Sequence, residues 1–202
     1  PSEGNIMRDV DPMTVAVSYQ VNGASAISVL TDQHYFGGHI DFIQQVKTVV
    51  KLPILRKDFI VSEYQVWESF YTGADAILLI ADAIDFSLFA TLYELANELG
   101  IHALVEMHSI ANLDDILSLS PDIIGINCRD LQTMETDLSW FESVYGKLPE
   151  GSVKVAESGI KTGEDLSFIY ELGYNSVLVG TSLMKTRSPG TALAKLLNRM
   201  PA

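Results

Sequence analysis

The chain has 202 residues, 48% of them hydrophobic, and a formal net charge of −13 at pH 7. This size and hydrophobic content predict one folded domain over residues 1–202, and the negative charge argues against nucleic acid and anionic membranes as partners, because both require a basic face. No apolar run reaches the roughly 18 residues that span a bilayer. The single cysteine, Cys128, excludes an intrachain disulfide and fits a reducing compartment, so a cytoplasmic location is expected.

Short apolar runs alternate with segments of helical periodicity along the whole chain. The apolar runs are rich in β-branched residues and predict about seven strands, at SAISVLT, LPILRKDF, AILLIA, HALVEMH, DIIGINCR, VKVAESG and SVLVGTS. The helical segments between them include DPMTVAVSYQVNG near the start and, later, DFSLFATLYELANELG, GEDLSFIYELG and GTALAKLLNRM. Gly73, Gly100 and Gly173 each precede a predicted strand, which is typical of a helix C-terminus.

This alternation predicts a parallel sheet covered by helices. The sheet could be open and doubly wound, or closed as a (β/α)8 barrel. About seven strands with about eight helices indicate an α/β fold of the (β/α)8 TIM barrel class, with the first strand and any N-terminal extension missing from this chain. The opening loop, PSEGNIMRDVDP, would then lead out of the missing strand.

Polar side chains fall at the end of four strands and favour the barrel. Alternate side chains of a strand share one face, so Lys57, Glu106, Asn127 and Glu157 each follow an apolar or small residue on the same face. An open sheet does not bring four strand ends to one point. A barrel does, at the C-terminal mouth where enzymes of this fold keep their active sites.

These four residues suggest acid–base chemistry, and each has a plainer alternative. A lysine at the mouth can bind an anion, act as an acid or form a Schiff base, although a strand-end lysine can also extend to solvent. Glu106 and Glu157 near Lys57 can divide acid and base roles, or form a structural ion pair with it. Asn127 can bind a hydroxyl group of a ligand, or its amide can simply form hydrogen bonds with the backbone at the end of the strand.

Two turns after the last two strands predict a phosphate site. Ser158-Gly159 and Gly180-Thr181-Ser182 offer small residues and backbone N–H groups, and SLM can open a short helix. Phosphate sites after strands seven and eight recur in barrels, although each turn alone is a weak signal. Arg129 can close over the same ligand, or can face solvent.

Apolar residues are expected to line the mouth near these groups: Phe36, Phe59, Leu78, Leu131 and Met134. Phe36 lies in the loop DQHYFGG, where an exposed ring would be explained by an aromatic substrate. Ordinary core packing is the alternative for all five residues. Cys128 is expected to pack on the outward face. The histidines lack the spacing of zinc ligands and receive no role: His34, His39, His102 and His108.

Seven motifs together resemble the indole-3-glycerol phosphate synthase family, in the family's order and over essentially the whole chain: SVLTDQHYFGG, LPILRKDFIV, GADAILLI, LVEMHS, IGINCRDL, VAESGI and VLVGTSLM. The resemblance implies ring closure of 1-(2-carboxyphenylamino)-1-deoxyribulose 5-phosphate with loss of carbon dioxide and water, in tryptophan biosynthesis. It also implies an anionic substrate carrying phosphate and carboxylate, and no metal or organic cofactor.

The resemblance also implies residue roles. Lys57 would be the general acid that polarises the ketone, and Glu106 would assist proton transfer. Asn127 and Glu157, with Ser158 beside them, would orient the substrate hydroxyls and the catalytic lysines. The phosphate end would comprise Arg129, Gly159, Gly180 and Thr181. The aromatic pocket would comprise Phe36, Phe59, Leu78 and Leu131.

This chain differs from the family pattern at its N-terminal end. The family's first strand carries a Glu-any-Lys pattern followed by Arg-x-Ser-Pro-Ser, which runs into the opening Pro-Ser of this chain. That strand holds a second catalytic lysine and a glutamate, so this chain alone is expected to lack activity. A full-length protein would be monomeric, whereas seven strands with open edges would associate.

Other functions stay open at this point. One is another phosphosugar barrel enzyme, such as the isomerase that acts one step earlier in the same pathway. That isomerase is expected to use a Cys–Asp pair, and Cys128 is out of position for this role. An aldolase using Lys57 is a second, and a non-catalytic fragment that retains the phosphate site is a third.

Overall fold

The computed structural model describes residues 10–197, and the described residues form seven strands and nine helices. The strands are β1 (Ile27–Leu30), β2 (Ile54–Lys57), β3 (Ala76–Ile80), β4 (His102–Met107), β5 (Ile123–Asn127), β6 (Val153–Glu157) and β7 (Ser176–Leu178). The helices are α1 (Pro12–Val21), α2 (Asp41–Lys47), α3 (Glu63–Thr72), α4 (Phe86–Glu98), α5 (Leu113–Ser118), α6 (Ser139–Tyr145), α7 (Gly163–Leu172), α8 (Thr181–Met184) and α9 (Pro189–Leu197). Most of the predicted opening loop and the end of the last predicted helix lie outside the described residues.

The strands form one parallel sheet in chain order, β1 to β7. Each pairs with the next, and helices fill the connections, as right-handed crossovers require. The sheet curls so far that α1 packs against α9. There Gly190 lies so close to Ser18 that any side chain at position 190 would collide with it. The first and last described helices therefore meet across the gap between β1 and β7. No helix in residues 10–197 is long and apolar enough to cross a membrane.

The helix ends follow the local chemistry of the sequence. Asp11 caps α1, accepting hydrogen bonds from the backbone of Met13 and Thr14, with Pro12 at the first helical position. Gly73 and Gly173 end α3 and α7 with φ of 82° and 98°. Only glycine adopts this left-handed conformation without strain, so these two predicted helix ends are confirmed.

Two apolar layers hold the barrel. The larger lies between the helices and the outer face of the sheet and contains the fully buried rings of Phe89 and Phe141. The smaller fills the interior and consists of four buried side chains from four strands: Leu55, Leu78, Leu104 and Val155. We call these four the interior floor. Since inward side chains recur every second residue, the next inward position of each strand lies directly above this floor.

A buried polar network lies outside the barrel, behind β2. Arg56 points outward, is only 3% exposed, and pairs with Asp58 at 2.9 Å and Glu68 at 2.8 Å. The Thr31 hydroxyl donates to the same Asp58 oxygen at 2.7 Å. The network joins the ends of β1 and β2 to α3, and it fixes the backbone on both sides of Lys57.

Candidate active site

The four strand-end residues predicted to meet do meet at the C-terminal mouth. Lys57 Nζ lies 3.4 Å from Glu106 Oε2, and the register places Glu157 opposite Asn127. Glu106 and Glu157 are 2% and 1% exposed, whereas the Lys57 side chain is 21% exposed. Each follows the interior floor by two residues, except Asn127, which follows Gly125. The mouth therefore has an apolar base and a charged rim.

The missing side chain at Gly125 makes room for Glu157. Glu106 is level with Gly125 in the register, and the Glu157 carboxyl lies where a Cβ of residue 125 would be. That Cβ would also come within 3.1 Å of Leu104 Cδ1. Glycine at this position lets Glu157 lean across β5 toward Glu106, and this role of Gly125 was not predicted from the sequence.

The two carboxyl groups hold different protonation states. Burial disfavours the charged form of both. At Glu106, however, the surrounding groups outweigh burial and lower the pKa below 4.5. They are the Lys57 ammonium, the Glu157 carboxyl, the nearby His108 ring and the Asn127 amide. At Glu157, burial acts together with the negative charge of Glu106 and raises the pKa well above 4.5. The pair thus supplies an ionised base and a neutral acid.

The difference in protonation explains how Glu157 can be buried without a large loss of folding free energy. Neither carboxyl oxygen of Glu157 has a hydrogen-bond partner among residues 10–197 when the group is treated as an acceptor. A protonated Glu157 is a donor instead, and its O–H can bond to the Glu106 carboxylate. The resulting charge-assisted hydrogen bond stabilises the ionised form of Glu106.

Asn127 is oriented by its own loop. Its side-chain oxygen accepts a hydrogen bond from the Arg129 backbone N–H at 3.0 Å, which leaves the side-chain NH₂ group as a donor. That donor acts on Glu106, and its effect helps to lower the pKa of the carboxyl. Asn127 therefore presents a hydrogen-bond donor to the site.

His108 belongs to the site, although its spacing in the sequence did not predict a role for it. Its Nε2 lies 3.0 Å from Glu106 Oε1, and its side chain is 10% exposed. His108 follows Glu106 by two residues, so the alternation that identified the other four residues could have identified it as well. It received no role because the four histidines lack the spacing of zinc ligands, which says nothing about proton transfer.

The two glycine turns predicted to hold phosphate are adjacent. Ser158 and Gly159 both have positive φ, at 71° and 73°, and a Cβ at Gly159 would come within 2.9 Å of Cys128 Sγ. Gly180 precedes α8, and the Ser182 hydroxyl donates to the Ile160 carbonyl at 3.0 Å. This bond ties the second turn to the first.

Arg129 is anchored in the loop after β5. Its Nη1 donates to the Met134 carbonyl at 2.9 Å, and Arg129 also bridges Thr136 across the loop. Its assignment to phosphate, like that of Gly159, Gly180 and Thr181, stays a prediction.

Aromatic rings flank the mouth beside β2. Phe36 and Phe59 stack with centroids 5.5 Å apart, and Tyr35 contacts Phe59 edge-on at 5.7 Å. Leu131 is 57% exposed on its loop. Leu78 belongs to the interior floor and pairs in register with Leu104, whereas Ile80 is level with Glu106. The assignment of these residues to the aromatic pocket stays a prediction.

Cys128 is buried and packs outward from the site, as expected. Burial raises the pKa of its thiol to about 11, so it stays protonated at neutral pH. This disfavours the isomerase alternative, which needs a cysteine as a proton-transfer group.

A curled parallel sheet with a lysine and two carboxyls at its C-terminal mouth defines a barrel enzyme. Two solved structures share this fold at low sequence identity. They are 3-hexulose-6-phosphate synthase from Salmonella typhimurium (TM-score 0.78, 13% identity, 96% of this chain and 95% of that chain) and orotidine 5'-phosphate decarboxylase from Pyrococcus horikoshii (TM-score 0.73, 14% identity, 93% and 92%). The predicted fold class is confirmed.

Sequence comparison identifies the family. The model of the family described as indole-3-glycerol phosphate synthase matches residues 1–196. Proteins of that name from Halalkalibacterium halodurans and a Geobacillus species are 43% and 45% identical, over 100% and 99% of this chain and 79% and 78% of their own lengths. The chain belongs to the indole-3-glycerol phosphate synthase family of tryptophan biosynthesis, as the motifs predicted.

Proposed function

We propose that this chain forms most of the active site of a carbon–carbon lyase, which closes 1-(2-carboxyphenylamino)-1-deoxyribulose 5-phosphate to indole-3-glycerol phosphate and releases carbon dioxide and water. The observation that carries the proposal is the Lys57–Glu106 pair at 3.4 Å, with the protonated Glu157 beside it. This arrangement offers a cationic acid, an anionic base and a neutral acid in one cavity, and the reaction requires several proton transfers.

In the first step, the Lys57 ammonium donates to the substrate ketone while the ring carbon that bears the carboxylate attacks the carbonyl carbon. The new carbon–carbon bond forms as the carbonyl π electrons move to oxygen, which takes the proton. The carboxylate then leaves as carbon dioxide, and its bonding electrons restore the aromatic ring. Glu106 assists these proton transfers, since it is ionised and within reach of Lys57.

In the last step, the new hydroxyl group leaves as water after protonation, and loss of a proton from the adjacent carbon completes the indole double bond. Asn127 and Glu157, with Ser158 beside them, orient the hydroxyl groups of the substrate. The phosphate would lie on Gly159, Gly180 and Thr181, with Arg129 near it. Support for this placement comes from the Ser182–Ile160 hydrogen bond that joins the two turns.

The aromatic ring of the substrate would lie against the Phe36–Phe59 stack. We further propose that the enzyme acts in the cytoplasm on this small anionic substrate, without metal, cofactor, nucleic acid or membrane. The full-length protein would be a monomer. The family resemblance implies a second catalytic lysine and a glutamate on a further strand, so the assay also supplies a segment that carries them.

The test measures indole-3-glycerol phosphate by its fluorescence. It uses the chain alone and the chain joined to the segment that precedes the matched region in the Halalkalibacterium halodurans relative. We expect turnover from the joined protein and little from the chain alone. Lys57→Met should lower turnover by about 10²–10⁴ with nearly unchanged affinity for inorganic phosphate.

Lys147→Met is the matched control. Lys147 is exposed and follows α6 at the opposite end of the barrel, so its loss should leave turnover unchanged. Equal activity of Lys57→Met and Lys147→Met would refute the role of Lys57. Trapping of substrate on Lys57 by borohydride would favour the aldolase alternative instead.

A further inference from the structure

His108 is held in place from two directions. Its backbone N–H donates to Asp82 Oδ2 at 2.8 Å, and the neighbouring Ser109 hydroxyl donates to Asp82 Oδ1 at 2.9 Å. Asp82 follows β3, so the loop after β3 fixes the chain just beyond β4. The imidazole then points along the inner face with Nε2 3.0 Å from Glu106 Oε1.

The two ring nitrogens of His108 have different surroundings. Nε2 meets the Glu106 carboxylate, whereas Nδ1 is buried and has no hydrogen-bond partner among residues 10–197. A buried N–H without an acceptor costs more than a buried lone pair on an aromatic nitrogen. The arrangement therefore places a proton on Nε2, which donates to Glu106.

Glu106 is thereby fixed at both oxygens. Oε2 faces Lys57 at 3.4 Å, and Oε1 faces His108 at 3.0 Å. We propose that His108 is a positioning residue for the proposed reaction: its Nε2–H holds Glu106 ionised and aims the second oxygen at Lys57. This inference rests on the proposed function but can be tested apart from it.

Charged groups from several elements surround this contact. They are Lys57 from β2, Asp82 after β3, Glu106 within β4, Asp130 after β5 and Glu157 within β6. Four of the five are acidic, so a carboxylate here needs donors to stay ionised. Removing the His108 donor should therefore raise the pKa of Glu106.

The experiment compares His108→Leu with His108→Gln in the joined protein. Leucine fills similar space without a donor, and glutamine keeps an N–H at a similar reach but does not titrate. We expect His108→Leu to lower kcat by about 10–100-fold with little change in KM, and to move the acid limb of the kcat profile to higher pH. His108→Gln should recover most of both effects.

A second readout does not need turnover. Carboxyl ¹³C NMR of the 202-residue chain should show a higher Glu106 pKa in His108→Leu and a value near the original in His108→Gln, and ¹⁵N NMR should place the proton on Nε2. An unchanged Glu106 pKa in His108→Leu would overturn the inference, as would an unshifted acid limb. If the NMR results hold while no variant turns over substrate, the proposed function fails instead.

Discussion

Replacing Gly125 by alanine places a methyl group where the Glu157 carboxyl lies. The new Cβ would overlap Glu157 Oε1 and come within 3.1 Å of Leu104 Cδ1. To regain ordinary contact, the carboxyl has to move by about 1 Å or more. Glu157 is 1% exposed, so it moves against packed neighbours, and the hydrogen bond to Glu106 lengthens or breaks.

The size of the effect follows from that displacement. A 1 Å error in the position of a catalytic group costs about 10²-fold in rate, and overpacking a core costs about 1–3 kcal/mol. For a chain of this length, that lowers the melting temperature by roughly 2–12 °C. The assay pairs thermal unfolding with fluorescence turnover of the joined protein.

Gly146→Ala is the control, because Gly146 has φ of −65° and no atom lies near its added Cβ. It should leave turnover unchanged and slightly raise stability. Adding Glu157→Asp to Gly125→Ala shortens the displaced side chain and should recover part of the stability. Equal rates in Gly125→Ala and Gly146→Ala would refute the argument that residue 125 makes room for the acid.

Two further predictions concern charge. Asp58→Ala should lower the free energy of unfolding by about 3–5 kcal/mol, because it leaves the buried Arg56 with one partner fewer. Glu68→Ala should lower it less, since the Glu68 side chain is 27% exposed. Chemical denaturation measures both values. Because the pKa of Glu157 is raised, its protonated form stabilises the fold below about pH 4.5, and this stability is lost as pH rises. Glu157→Gln should therefore gain stability relative to the original chain between about pH 5 and 8, and a constant difference in melting temperature over that range would contradict the raised pKa.

The pattern of alternate residues was sufficient to find the charged rim. Lys57, Glu106 and Glu157 each follow a buried aliphatic by two positions, and that spacing is a local property of a strand. The helix ends at Gly73 and Gly173 could also be predicted from the local sequence, because each depends on the φ angle of a single residue.

What the sequence did not reveal depends on neighbouring strands. The height of one strand against the next is set by the register, which placed Ile80 rather than Leu78 beside Glu106. The role of Gly125 arises from Glu157, a side chain at the end of the next strand. The partners of Arg56 come from α3 as well as from the residue after β2. Such pairings between distant segments cannot be derived from spacing along one strand.

The interior floor has a consequence for how the enzyme could be altered. Its four aliphatic side chains seal the centre of the molecule below the reactive groups, and each reactive group occupies the last inward position of its strand. Exchanging those terminal residues, together with the loops that follow them, would leave the packing of the interior floor unchanged. A new reaction could therefore be installed on this scaffold while its resistance to unfolding is largely retained.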